Sequence, residues 1–291
     1  MRSYLAMKRS FTWFAVVLAA ACQSTNPAPG TISRERIAEL VASPDRSDAD
    51  RNNDRRRKPG LVLAFIGVRP GMVAMDLSAG GGYTTELIAR AVGPGGKVYG
   101  QSAPPDPNRP KPAAPEGGTA PAPEGGTAPA PSGGAGPPAA GPRLTSAQRL
   151  AERMKNPAAG NIVPVVRPFE DPAPPELAAN ALDLVTLMFN YHDLGYLGVD
   201  RARMNRAVFA ALKRGGTYVV ADHSGRPGTG ISEGGTLHRV EEALVRQEIE
   251  AGGFRLADEG QFLRNPADPR DRNTPDPPMP KDEFVLKFVK P

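Results

Sequence analysis

Residues 72–83 read MVAMDLSAGGGY, and the elements around this stretch set the fold. It opens with an apolar run of strand length, and residues 84–92, which follow the glycines, have the apolar spacing of a helix. A second short apolar run, residues 97–100, comes after the GPGG sequence that ends this helix. The order strand, glycine-rich turn, helix, strand is a βαβ unit, whose strands are parallel and whose connection is right-handed.

The rest of the chain continues this alternation. An N-terminal helix is predicted from residue 32, and another begins at Pro59, which suits the first turn of a helix. Further helices are predicted at residues 145–154, 201–212 and 238–251, and strands at 162–166, 181–189, 217–222, 254–258 and 284–289. Strands alternating with helices predict an α/β fold with a doubly wound, Rossmann-like sheet.

The N-terminus has the parts of an export signal over residues 1–22: a basic start, an apolar run and small residues at its end. The apolar run, residues 11–21, is too short to span a bilayer. Residues 18–22, LAAAC, resemble a bacterial lipoprotein signal, in which Cys22 is lipidated and attaches the protein to a membrane. Ordinary cleavage after Ala21 is the alternative. In both cases we expect a protein exported to the cell envelope, in the periplasm or anchored to a membrane by lipid.

Three further segments follow the signal. Residues 23–58 are predicted to be a tether and an N-terminal helical segment, and residues 59–291 a single folded domain. Residues 103–142 interrupt this domain with a Pro/Gly/Ala-rich sequence in which EGGTAPAP occurs twice in tandem. That segment has no apolar face to offset the entropy of ordering, so a disordered insertion is predicted.

The charge of the chain argues against a nucleic-acid partner. There are 36 basic and 31 acidic residues, a formal net charge of +5. The one basic run, residues 55–58, interleaves with aspartates and has no aromatic neighbours, which favours a solvated helix face. The single cysteine excludes an intramolecular disulfide and a CxxC metal or redox motif.

Residues 59–291, apart from the insertion, resemble class I S-adenosylmethionine (SAM) dependent methyltransferases, in particular a bacterial group that carries export signals. The resemblance rests on three short sequences. DLSAGGG at 76–82 is similar to the DxGxGxG turn of that superfamily, and RPGM at 69–72 and LKRGG at 212–216 are similar to the sequences that precede its first and fifth strands. It implies a sheet of seven strands with an antiparallel last strand. It also implies SAM as cofactor and methyl transfer to a small or medium-sized acceptor.

The resemblance places the cofactor at the glycine-rich turn, where glycines let the backbone approach a ligand. Ser78 stands in place of the first glycine, and Gln101 or Ser102 in place of a carboxylate that accepts hydrogen bonds from the ribose hydroxyls. A neutral side chain still binds a diol, so weaker or reoriented binding is expected. It would also tolerate a ribose phosphate, which keeps a dinucleotide as an alternative ligand, although the GxGxxG spacing is absent. The implied cofactor residues are Asp76, Ser78, Ala79, Gly80, Gly82, Gln101 and Ser102.

Polar residues follow the predicted fourth and fifth strands, where a doubly wound sheet has its ligand crevice. The candidates for catalysis are Asn190, Tyr191, His192, Asp193 and His223. Among them His192 is the candidate acid/base or acceptor-positioning residue, because histidine titrates near neutral pH. Structural roles are the alternative: a strand-end cap for Asn190, packing for Tyr191 and a turn cap for Asp193.

Two alternatives and two loops complete these predictions. A metal site of the three histidines, His238 included, with Asp193 or Asp222 is one alternative, although no HxxxH-type spacing supports it. The other is an exported, non-catalytic ligand-binding protein on the same fold, favoured by export because SAM is made in the cytoplasm.

The loops at 226–236 and 264–280 are longer than a connection between elements requires, and they are predicted to bind the acceptor.

Overall fold

The structure is a computed structural model that describes residues 30–108, 144–274 and 279–291. The export signal predicted at 1–22 and most of the insertion predicted at 103–142 lie outside the described residues. Among the residues described, no helix combines the length and apolar character needed to cross a membrane.

The described residues form one sheet of seven strands in the order β3-β2-β1-β4-β5-β7-β6. Strands β1 to β5 are parallel, whereas β7 is antiparallel to both of its neighbours. This confirms the doubly wound, Rossmann-like sheet with an antiparallel last strand. The strands are β1 (Val73–Leu77), β2 (Lys97–Ser102), β3 (Ile162–Val166), β4 (Leu182–Met188), β5 (Leu212–His223), β6 (Arg255–Gly260) and β7 (Glu283–Val289).

Helices cover both faces of the sheet, so each face has its own apolar core. One core contains residues of α1, α3, α4 and α5, and the other contains residues of α6, α7 and α8. The helices are α1 (Arg34–Ala42), α2 (Asp48–Arg57), α3 (Pro59–Ile66), α4 (Tyr83–Val92), α5 (Ser146–Arg153), α6 (Asp193–Tyr196), α7 (Arg201–Ala211) and α8 (Glu242–Ala251). Central strand β4, LDLVTLM, is buried along nearly its whole length, as a parallel strand covered on both faces must be.

Two element boundaries differ from the predictions. Strand β5 starts at Leu212, because the LKRGG segment continues the strand instead of ending the preceding helix. Helix α8 starts at Glu242, and His238 lies before it with a φ of +52°, a left-handed conformation that no helix accommodates. The strand order reverses between β1 and β4, which opens a crevice at their carboxyl ends.

Candidate cofactor and acceptor site

Two cavities open at this carboxyl edge. The large cavity has a volume of about 620 Å³ and is bounded by the ends of β2 and β3 and by α5 and α6. The small cavity, about 140 Å³, lies between α2 and the glycine-rich turn. Ser78, Gly80 and Asn190 line both, so the two cavities meet at the turn that follows β1.

The glycine-rich turn is held from below by Gln101. Its side-chain oxygen accepts a hydrogen bond from Ser78 N at 3.0 Å, and its side-chain nitrogen donates to the carbonyl of Arg167 at 2.6 Å. Ser78 has a φ of +54°, a conformation that this bond helps to hold. Because Gln101 is fully buried and both ends of its amide are occupied, it is not placed to bind a ribose. Ser102 does line the large cavity, so of the two predicted residues the structure favours Ser102.

Helix α5 covers the turn from the other side. Ser146 Oγ donates to the carbonyl of Gly80 at 2.6 Å, and Arg153 Nε donates to the carbonyl of Gly81. Gly82 begins α4 with a φ of +81°, and a Cβ there would lie 2.7 Å from the side chains of both Leu150 and Arg153. Only glycine fits this position without displacing α5.

Asp76 lies at the end of β1 and lines the small cavity. Its two carboxylate oxygens accept hydrogen bonds from Thr85 Oγ1 at 2.6 Å and Thr186 Oγ1 at 2.8 Å. Burial raises the pKa of Asp76 to about 6, because the ionised carboxylate loses its hydration and the two hydroxyls restore only part of it. Asp76 is therefore a carboxylate whose charge changes near neutral pH.

Helix α2 closes the small cavity through ion pairs. Arg153 on α5 forms two hydrogen bonds with Asp50, at 2.7 and 2.9 Å, and also pairs with Glu86 on α4. Asp50 is buried, so the prediction of a solvated face is wrong for this side of α2. Charged residues on α2 thus face the glycine-rich turn.

The same helix is tied to aromatic side chains beside the cavity. Tyr83 donates from its hydroxyl to Asp54 at 2.7 Å, and Arg46 pairs with the same carboxylate. The Arg57 guanidinium lies 4.2 Å from the centre of the Phe189 ring, within the range of a cation–π contact. Arg57 also lines the small cavity, which makes it a cationic wall residue that sequence reasoning missed.

His192 is buried between two carboxylates. Its Nδ1 lies 2.6 Å from Asp222 Oδ1, and its backbone N donates to Asp222 Oδ2 at 2.8 Å. Burial lowers the pKa of His192, but the charge of Asp222 and the neighbouring Asp193 outweigh it and raise the pKa to about 10. An imidazole that is already protonated at neutral pH is unsuited to act as a general base there, so the surroundings of His192 favour a positioning role.

Asp193 and Asn190, next to His192, line the large cavity and are hydrogen-bonded to each other. Asn190 Nδ2 donates to Asp193 Oδ2 at 3.0 Å, and both residues line that cavity. Burial raises the pKa of Asp193, but the neighbouring His192 and His238 side chains outweigh it and hold the pKa well below its usual range. The predicted meeting of the three histidines is confirmed, since the rings of His223 and His238 lie 5.7 and 5.4 Å from that of His192.

Three of the predicted catalytic residues, Tyr191, His192 and His223, line neither cavity, and the contacts of Tyr191 and His223 lie elsewhere. Tyr191 is fully buried, donates to Glu248 Oε2 at 2.7 Å and accepts from Asn205 at 3.3 Å. His223 is also fully buried, with its Nδ1 3.0 Å from Glu283. These contacts favour structural roles for Tyr191 and His223.

The predicted acceptor loops are not placed at the cavities either. In loop 226–236, Ile231 packs against Gly195 of α6, and Gly234 lies against the backbone of His192. Loop 264–280 is anchored by Asp268, whose carboxylate pairs with the buried Arg239 at 2.8 Å; residues 275–278 lie outside the described part. No residue of either loop that the structure describes lines the large or the small cavity.

One further wall residue was assigned by sequence to the disordered insertion. Residues 103–108 are described, and Asp106 lines the large cavity shortly after the end of β2. Ser102, where the ribose contact was expected, lines the same cavity, and Asp106 Oδ1 accepts a hydrogen bond from Asn108 N at 2.8 Å. The proline-rich sequence around Asp106 concealed this wall residue.

Comparison with known proteins identifies the fold. No family model matches the sequence, and no curated protein matches it. A SAM-dependent methyltransferase from Aquifex aeolicus aligns with a TM-score of 0.52 and 15% identity over 89% of this chain and 100% of that one. A complex of the Haloferax volcanii Trm112 methyltransferase activator with a methyltransferase gives 0.50 and 16% over 90% and 100%. The chain has the class I methyltransferase fold. The [4+2]-cyclase SpnF, with a TM-score of 0.50 and 13% identity over 80% of this chain and 82% of its own, is similar too, so the methyltransferase fold by itself leaves the reaction open.

Proposed function

We propose that this protein binds SAM across the two cavities and transfers its methyl group to a small acceptor in the large cavity. One observation carries the proposal: a large, mainly uncharged cavity and a small, charged cavity meet at the glycine-rich turn. SAM has the same division, with a neutral adenosine and a zwitterionic methionine end joined at the sulfonium. The match between ligand and cavities assigns each end of SAM to a cavity.

The adenosine end suits the large cavity. Val166 and Phe169 supply apolar surface for the adenine ring. The Ser102 hydroxyl and the Asp106 carboxylate are hydrogen-bonding groups for the ribose hydroxyls. Asp106 thus supplies the kind of carboxylate that was expected at the end of β2.

The methionine end suits the small cavity. Asp50 and Asp76 are acceptors for the ammonium group, and Arg57 is a partner for the carboxylate. The sulfonium then lies near Gly80 and Asn190, where the cavities meet. This places the methyl group at the boundary of the large cavity.

The acceptor takes the part of the large cavity that α6 borders, lined by Asp193, Leu194 and Tyr196. A volume of about 620 Å³ is within the size of small-molecule sites and leaves room beside the adenosine. Methyl transfer depends mainly on holding the acceptor in line with the sulfonium. Asn190 and Asp193, joined by a hydrogen bond, are the polar groups placed to hold it.

Isothermal titration calorimetry with SAM, S-adenosylhomocysteine, adenosine and methionine tests this proposal. We expect SAM and S-adenosylhomocysteine to bind one per chain and the two fragments to bind more weakly. Ser102→Ala should weaken binding of adenosine but not of methionine, and Arg57→Ala should do the reverse. Failure of both SAM and S-adenosylhomocysteine to bind the folded protein would overturn the proposal.

A non-catalytic ligand-binding protein is the second candidate, since the likeness to a cyclase shows that this fold does not by itself imply methyl transfer. The two functions predict the same SAM binding but different turnover. Incubation with methyl-labelled SAM and a mixture of phenols, amines, thiols and carboxylates separates them. Transfer of label to one class supports the enzyme, whereas tight SAM binding without transfer supports the binding protein.

The affinity for SAM is expected to depend on pH through Asp76. Its pKa of about 6 means that it is neutral below this pH and carries the charge that attracts the ammonium group above it. In Asp50, the other carboxylate of the small cavity, burial raises the pKa, but pairing with Arg153 outweighs it and holds the pKa below its usual range. The dissociation constant for SAM should therefore rise by up to about tenfold per pH unit below pH 6. Asp76→Asn should flatten this dependence, and an unchanged slope in that variant would exclude Asp76 as its source.

The mature protein is expected to begin at Cys22 or just before it and to lie in the cell envelope. Mass spectrometry of the N-terminus of the native protein checks this. A lipid-modified Cys22 would identify a membrane anchor, and an unmodified Cys22 would identify ordinary cleavage. A cytoplasmic chain that still carries Met1 would contradict the prediction.

A further inference from the structure

We propose that His192, Asp193 and His238 bind a divalent first-row transition-metal ion at the rim of the large cavity. Each residue offers one ligand atom, and the three atoms form a compact triangle. His192 Nε2 lies 3.0 Å from Asp193 Oδ1 and 3.3 Å from His238 Nδ1, and the third side measures 3.7 Å. Tetrahedral ligands at bond lengths of about 2.0–2.2 Å are separated by about 3.3–3.6 Å, so one ion fits the triangle with small adjustments.

One corner of this triangle is an unsatisfied carboxylate oxygen. Asp193 Oδ1 is buried and lies 3.0 Å from His192 Nε2 and 3.7 Å from His238 Nδ1, but within the described residues it accepts no hydrogen bond, although Oδ2 of the same group accepts from Asn190. Leaving a buried carboxylate oxygen without a partner is costly. A metal ion between Asp193, His192 and His238 would supply the missing partner.

The ligand atoms are oriented by outer partners of the kind that metal sites use. Asp222 Oδ1 lies 2.6 Å from His192 Nδ1, which turns Nε2 toward the triangle. Metal-binding histidines almost always bond through their other nitrogen to a carboxylate, a carbonyl or water. Asn190 fixes Asp193 in the same way. The third ligand, His238, is held in a left-handed backbone conformation with a φ of +52°, and such strain is concentrated at functional sites.

The donor set indicates the class of ion. Two imidazoles and one carboxylate suit Zn²⁺, Fe²⁺, Co²⁺ or Mn²⁺, whereas Mg²⁺ and Ca²⁺ prefer oxygen ligands. Three protein ligands leave at least one coordination position for water or another molecule. Asp193 also lines the large cavity, and 21% of the His238 side chain is exposed, so the triangle is accessible to small ions and ligands.

A role for the ion rests on the proposed methyl transfer, whereas its binding does not. An acceptor hydroxyl bound to the ion would release its proton to solvent more readily. The acceptor oxygen would then form the bond to the methyl carbon, and the C–S bond would break with its electron pair passing to sulfur. Methyl transfer to an acceptor oxygen bound in this way needs no general base from the protein.

Titration of the full chain, purified without a histidine tag and dialysed against EDTA, with Co²⁺ tests the site. We expect one Co²⁺ per chain with visible absorption bands of a nitrogen and oxygen site, displacement by Zn²⁺ and little competition from Mg²⁺. His238→Ala and Asp193→Asn should each weaken binding by about a hundredfold or more. Asp106→Asn, which removes another carboxylate of the same cavity, should leave the Co²⁺ affinity unchanged.

Circular dichroism and SAM titration of His238→Ala and Asp193→Asn separate the outcomes. Folded variants that lose Co²⁺ but keep SAM support the metal site, whatever the result of the methyl-transfer assay. Absence of saturable Co²⁺ and Zn²⁺ binding to the wild-type protein would overturn the proposal, as would equal affinity in the wild type and both variants. Preference for Mg²⁺ over Zn²⁺ would also overturn it.

Discussion

Replacing Gly82 with alanine is expected to lower the free energy of unfolding by about 2–5 kcal/mol and to abolish SAM binding. The φ of +81° costs an L-residue about 1–2 kcal/mol. A Cβ at 2.7 Å from Leu150 and Arg153 adds about 1–3 kcal/mol of overpacking and pushes α5 away from the glycine-rich turn. Denaturant unfolding and calorimetry measure the two effects separately.

Gly93→Ala is the matched control at the other end of α4. Gly93 has a φ of +66°, but a Cβ there would meet no described atom within 4 Å. A φ of +66° with a ψ of −174° is a conformation that only glycine adopts readily, so the replacement should cost the strain, about 1–3 kcal/mol, and leave the affinity for SAM unchanged. Equal losses of stability and affinity in the two variants would show that α5 does not hold the turn.

Replacing Arg153 with alanine is the second substitution for which a large effect is expected. It removes the hydrogen bonds to Asp50 and leaves Asp50 and Glu86, whose side chains are 5% and 8% exposed, without this partner. Breaking a buried ion pair by removing one member costs about 3–5 kcal/mol. Since the pair ties α2 over the small cavity, the affinity for SAM should fall by about tenfold or more.

Arg246→Ala provides the comparison for Arg153. Arg246 is 47% exposed and pairs with Glu250 and Glu259 on the surface, so its loss should cost less than about 1 kcal/mol. Urea unfolding and SAM titration of both variants distinguish a buried ion pair that holds α2 over the small cavity from an ion pair on the surface. A stability loss in Arg153→Ala without a loss of SAM affinity would show that α2 does not belong to the cofactor site.

The fold was predictable because its signals are local. The apolar run ending at Asp76, the turn at 78–82 and the helix after it are neighbours in sequence, and the structure forms them as β1, the turn and α4. The proximity of His192 and His223 was also predictable, since carboxyl ends of neighbouring parallel strands lie at one edge. Both inferences needed only strand order and chain direction.

The sequence was enough to predict that only one of Gln101 and Ser102 contacts the ligand. Side chains alternate between the two faces of a strand, so neighbouring residues at the end of β2 cannot both point to one ligand. The structure places Ser102 at the large cavity and buries Gln101 under the turn. The alternation alone would not have told which of the two faces the ligand.

The ion pairs that close the small cavity could not be predicted in this way. Arg153 pairs with Asp50, 103 positions earlier in the chain, across the repeat insertion. A helix as charged as α2 is typical of a solvated surface, and only tertiary contacts reveal that Asp50 is buried. Burial and pairing likewise determine the protonation of His192, which sequence reasoning had assigned the pKa of a free imidazole.

A crystal structure with S-adenosylhomocysteine locates the cofactor without reference to any acceptor. We expect the adenine beside Val166 and Phe169, the ribose hydroxyls near Ser102 and Asp106, and the amino-acid end under α2 beside Asp76. A ligand bound outside the two cavities, or with its two ends exchanged between them, would contradict the assignment of SAM to this site.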